Sequence, residues 1–110
     1  MATIPERGDL VWIDFNPPSG HEQAGRRPAI VLSPAKYNRR VGLALVCPIT
    51  NKAKGYVFEV ALPDDLVITG VVLSDQIKSV DYGSRNIEFA GGASREVTEQ
   101  VLLKASKLLE

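Results

Sequence analysis

Turn-forming clusters punctuate this sequence at short intervals. They fall at Asn16-Pro17-Pro18-Ser19-Gly20, Pro34-Ala35-Lys36-Tyr37-Asn38, Asn51-Lys52-Ala53-Lys54-Gly55, Pro63-Asp64-Asp65, Asp81-Tyr82-Gly83 and Gly91-Gly92. Between them lie apolar runs too short for anything but brief strands. These are expected over 8–15, 28–33, 42–49, 56–62, 70–73, 77–80 and 86–89, with Ser74-Asp75-Gln76 as an interruption. After Gly91-Gly92 the pattern changes period. Val97, Val101, Ala105 and Leu108 form an apolar stripe at i, i+4, i+8 and i+11, behind Ser94 as a candidate N-cap. The fold class that follows is mainly β with a C-terminal helix, as a small antiparallel barrel or curved sheet with the helix packed on one side.

The strands differ in what they bury. In the first, Val11, Ile13 and Phe15 face one way and Leu10, Trp12 and Asp14 the other, so both faces have apolar character. Trp12, the lone tryptophan, reads as a core or subunit-interface residue rather than a stacking platform. The run over 42–49 is apolar on both faces and therefore central, but Pro48 suggests an edge or a bulge near its end. Cys47 within that run reads as an inert core thiol. The start of the chain looks disordered, 16–26 looks like one long loop, and 34–38 looks like a single irregular or 3₁₀ turn.

A chain of 110 residues supports one domain, here 1–110. No apolar run reaches the roughly 18 residues of a membrane span. The first residues lack the basic start and apolar centre of a signal peptide, and one cysteine makes no internal disulfide, so the cytoplasm is the expected compartment. Net charge is zero but unevenly spread: 23–58 holds seven basic residues and no acidic one. Such a block either lines a surface that accepts a polyanion or scatters over several faces on folding.

One histidine and one cysteine form no metal-ligand cluster, and no metal or other cofactor is expected. His21, in a Gly/Pro-bounded loop, reads as a solvated residue, so a Ser-His-Asp arrangement has little support. Gly91-Gly92 lacks the Lys-Ser/Thr of a nucleotide-binding loop. A cationic site with hydroxyls remains. Arg26 and Arg27 stand where a polar loop meets the strand 28–33, and Pro28 biases Arg27 towards extended backbone. A cation held there is suited to a phosphate.

Several ordered motifs then agree at once: Gly8-Asp9-Leu10-Val11-Trp12-Ile13-Asp14-Phe15-Asn16-Pro17, Gly20 through Ser33, Cys47-Pro48-Ile49-Thr50, Lys54-Gly55-Tyr56, Phe58-Glu59-Val60 and Asp75-Gln76-Ile77-Lys78-Ser79. Together they strongly resemble the MazF family of toxin endoribonucleases, over nearly the whole chain and least after Asp81. The resemblance implies an SH3-like barrel in a homodimer that cleaves single-stranded RNA at a short sequence without the ribosome. It also implies a cognate antitoxin that covers the substrate groove. It places the family's catalytic arginine on Arg27 and its catalytic threonine on Thr50. Glu22 matches an acidic position of the family's loop and is expected to bind substrate, together with Gln23, Arg26, Lys52, Lys54, Asp75 and Gln76; Arg26 is a point where the sequence differs from some family members.

Without a metal, the nucleophile at hand is the RNA's own 2′-hydroxyl, which leaves a 2′,3′-cyclic phosphate and a 5′-hydroxyl; DNA lacks that group. Charge developing on phosphate calls for fixed donors, which a guanidinium and a threonine hydroxyl supply. The alternatives are a non-catalytic RNA-binding relative and a gyrase poison of the related CcdB family. The latter depends on a C-terminal Trp-Gly-Ile, whereas this chain ends Lys-Leu-Leu-Glu.

Overall fold

The computed structural model describes residues 3–15 and 25–110. The loop residues His21, Glu22 and Gln23 lie outside them. The described residues form β1 (Asp9–Phe15), β2 (Gly25–Val31), α1 (Ala35–Val41), β3 (Ala44–Thr50), β4 (Glu59–Ala61), β5 (Val71–Leu73), β6 (Lys78–Val80), β7 (Glu88–Gly92) and α2 (Arg95–Ser106). The strands run in the order β4-β5-β3-β2-β1-β7, with β6 also on β3, and every pairing is antiparallel. Among the described residues no pairing joins β4 to β7, so the sheet is barrel-like but open.

Both faces of the central strands are buried, as the double-sided apolar pattern predicts. One face carries Leu10, Ile30, Cys47, Ile49, Val60 and Val72 against Val101 and Ala105 of α2. The opposite face carries Val11, Ile13, Phe15, Ala29, Val31, Val46 and Val80. Trp12 is half-buried and packs on the α2 side. The Ser94 hydroxyl caps α2 by accepting the Val97 amide at 3.1 Å. The stripe extends only to Ala105; a 3₁₀ turn over Lys107–Leu109 shifts the period and leaves Leu108 exposed.

Several sequence expectations are corrected. The segment 35–41 is a two-turn α-helix, closed by Gly42 with φ +75°, rather than one irregular turn. Pro48 sits in a central strand, not at an edge. On the side of β3 away from β2, pairing passes from β6 at Val46 to β5 at Ile49, and Pro48 falls in that gap, where a missing N–H costs nothing. Gly91 and Gly92 are not a separator: they extend β7 opposite Leu10 and Asp9, past an irregularity between Leu10 and Val11. The segment before β1, expected to be disordered, is fastened at Pro5 and Arg7, since the Arg7 Nε donates to the Leu32 carbonyl at 2.6 Å and the Asn38 amide donates to that of Pro5. The strand expected over 56–62 shrinks to β4, because the residues before Glu59 are drawn into a loop by that residue's own carboxylate.

Candidate active site

The register of β2 on β3 builds the site. Ala29 lies opposite Pro48, Ile30 opposite Cys47 and Val31 opposite Val46. Continued by two residues, that register sets Arg27 across from Thr50, both on the same face of the sheet. The two residues line one pocket of about 360 Å³ with Lys52, Lys54, Tyr56, Glu59, Leu73 and Gln76. Residues far apart in the chain thus converge because two strands end side by side.

Thr50 is held from both sides. Its Oγ1 accepts the Lys52 amide at 3.1 Å, which occupies an acceptor position and leaves the hydroxyl hydrogen available to donate. Behind it Gly70, with φ +116°, lies so close to the Thr50 carbonyl that a Cβ would overlap it. Thr50 itself is buried, so its backbone has little room to shift.

Among the described residues, three cations, Arg27, Lys52 and Lys54, line the pocket against one carboxylate, Glu59. That carboxylate is engaged: one oxygen accepts the Lys54 amide at 2.8 Å and the other the Gly55 amide at 2.9 Å. The Tyr56 hydroxyl donates to Asp75 Oδ2 at 2.8 Å, and this bond, followed by burial, raises the Tyr56 pKa above its ordinary value. The arrangement suits a phosphate or a short run of phosphates, held by a planar guanidinium, two ammonium groups and a neutral hydroxyl donor.

Of the residues expected from sequence, the structure brings together Arg27, Thr50, Lys52, Lys54 and Gln76. Asp75 reaches the pocket only through Tyr56. Arg26 is not brought there. Strand alternation turns it to the other face of β2, where it pairs with Asp14 at 3.0 Å and Glu88 at 3.2 Å and donates to the Asn86 carbonyl at 2.8 Å. Glu22 and Gln23 lie outside the described residues. The basic block of 23–58 accordingly divides. Lys36, Arg39 and Arg40 line a groove on α1, at the end of the β2–β3 pair away from Arg27 and Thr50.

Sequence reasoning missed Tyr56, Glu59, Leu73 and Gly70 as parts of the site. Tyr56 and Glu59 belong to the motifs that carry the family resemblance, but the alternation of 56–62 reads as a strand and hides the loop. Cys47 behaves as expected: it is buried, and burial, with a smaller effect from Asp75, pushes its thiol pKa up to about 12. Among the described residues no group of His, Cys, Asp and Glu gathers that could hold a metal ion, and no helix is long and apolar enough to cross a membrane.

Residues 6–109 match the family model described as PemK-like, MazF-like toxin of type II toxin-antitoxin system. The chain is 42% identical over 106 residues to the endoribonuclease toxin MazF of Escherichia coli strain K12, covering 96% of this chain and 95% of that protein. It matches the crystal structure of MazF from Deinococcus radiodurans with a TM-score of 0.94 at 50% identity, over 98% of both chains. A MazE-MazF crystal structure from the same organism matches with a TM-score of 0.86 at 45% identity, over 98% of this chain and 97% of that one.

Proposed function

The chain belongs to the PemK-like, MazF-like toxin family of type II toxin-antitoxin systems, and from that premise we propose that it is a metal-independent endoribonuclease that cuts single-stranded RNA at a short sequence. Residues 1–110 act as one toxin domain in the cytoplasm, as a homodimer neutralised by a cognate antitoxin. The antitoxin is suggested by the MazE-MazF relatives. The observation that carries the reading is that Arg27 and Thr50 line one cationic pocket at the end of the β2–β3 pair.

In this reading the substrate's 2′-oxygen forms a bond to the adjacent phosphorus as its proton passes to solvent water. The bond from phosphorus to the 5′-oxygen breaks, and that oxygen takes up a proton. The products are a 2′,3′-cyclic phosphate and a 5′-hydroxyl. Arg27 donates to the non-bridging oxygens as their charge grows, and the Thr50 hydroxyl adds a neutral donor fixed in advance by the Lys52 amide. Lys52 and Lys54 hold neighbouring phosphates, and Gln76 contributes an amide to the substrate. Glu22 and Gln23, which stand between β1 and β2 in the sequence, are assigned to substrate binding as well.

The test is digestion of a long unstructured RNA and its DNA counterpart in EDTA, with sequencing of the new 5′ ends. Recurrent cuts in RNA alone, with 5′-hydroxyl ends, are expected. Intact RNA that only shifts in mobility would replace the nuclease with a binding protein.

A further inference from the structure

The segment between β3 and β4 supplies Lys52, Lys54 and Tyr56 to the pocket, yet those residues lie in no strand or helix. Backbone of that kind stays in one conformation only where other groups tie it down. The ties are specific. The Glu59 carboxylate takes the Lys54 and Gly55 amides on its two oxygens, and Gly55 has φ +79°, a conformation that favours glycine. From outside, the Lys104 Nζ of α2 donates to the Val57 carbonyl at 2.6 Å and the Glu59 carbonyl at 3.0 Å. The Tyr56 hydroxyl adds the bond to Asp75.

A carboxylate lining a pocket for a polyanion would, by charge alone, oppose binding. Its two hydrogen bonds give it another purpose. We propose that Glu59 is a positioning residue whose carboxylate clamps the β3–β4 loop, with Lys104 as its external brace, so that Lys52 and Lys54 meet the phosphates of the RNA. This rests on the ribonuclease reading of the pocket.

Charge and clamp predict opposite signs for Glu59→Gln. Removing a negative charge from the pocket would tighten RNA binding, whereas releasing the loop weakens it. The ligand is single-stranded RNA made uncleavable by 2′-O-methylation at the scissile ribose, titrated over a range of salt concentrations. The expected result is binding weaker by about tenfold, comparable to the removal of one hydrogen bond to a charged group. The slope of log affinity against log salt should fall by roughly 0.7 for each phosphate that a lysine no longer neutralises. With cleavable RNA, KM rises while kcat changes little. Exchange of the Lys54 and Gly55 amides should accelerate while exchange in β1, β2 and β3 stays unchanged, which establishes that the variant is folded. Equal or tighter binding by Glu59→Gln, with an unchanged salt slope, overturns the clamp alone. Wild-type protein that does not retain the RNA overturns the ribonuclease reading and the role of the loop with it.

Discussion

Gly70 packs directly against the main-chain carbonyl of Thr50, with no space for a side chain between them. A Cβ at position 70 would overlap that carbonyl, stand 2.9 Å from Asn51 Oδ1, and impose a side chain on a backbone with φ +116°. Relief requires moving β5 or Thr50, and Thr50 is a residue the proposed site needs fixed. Gly70→Ala is therefore expected to lose about 1–3 kcal/mol of stability and to lose cleavage more severely than that stability loss explains. Denaturant unfolding and RNA digestion on the same preparation test this. A variant with wild-type midpoint and activity would remove Gly70 as a support of Thr50.

Adjacent arginines give opposite results. Arg27 lines the pocket, whereas Arg26 faces Asp14 and Glu88 on the other side of β2. Arg27→Ala should reduce cleavage by about 10² to 10³, the usual cost of one donor to a developing oxyanion, with little change in the unfolding midpoint. Arg26→Ala should stay within a few-fold of wild-type activity. Its exposed ion pairs are screened by solvent, so its stability loss should be small and should shrink with added salt. Comparable activity losses in both variants would contradict the separation of the two faces.

The Cys47 thiol, shifted up to about 12 mainly by burial, stays protonated through the neutral range and out of reach of reagents. Alkylation of the native protein at pH 8 should proceed only as fast as the chain opens, and denaturant should restore the rate of a free thiol. Rapid modification of folded protein would show that the strand pair around Cys47 opens locally.

The sheet and its terminal helix are legible in the sequence because hydrophobic period depends on local residues: β1 carries apolar side chains on both faces between clear turn signals, and Ser94 announces α2. What is not legible depends on partners distant in the chain. Pro48 looks like an edge signal until β3 is seen to exchange β6 for β5 beside it. Tyr56 and Glu59 alternate like strand residues, but the Glu59 carboxylate competes for the Lys54 and Gly55 amides and wins. Arg26 and Arg27 carry the same charge side by side, and it is the strand pleat that turns only Arg27 towards the pocket. Motif alone singles out Arg27 and Thr50; the register of β2 on β3 supplies the physical reason they meet.

Asp14 offers a pH test of the β1–β2–β7 side of the sheet. It accepts the Asn86 amide at 2.9 Å and the Arg26 guanidinium at 3.0 Å, and these contacts, that of Asn86 first, hold its pKa below the ordinary 3.8. A carboxyl whose pKa is lower folded than unfolded contributes stability above the unfolded value and loses it as pH falls through the folded one. The stability gap between wild type and Asp14→Asn should accordingly be constant from neutral pH down to about 4 and close below it. Added salt should narrow the gap near neutral pH, because the Arg26 contact is partly exposed. Urea unfolding of both proteins at matched pH values measures it. A gap that persists undiminished at pH 2 would mean that the charge of Asp14 is not what ties β1 to Arg26 and Asn86.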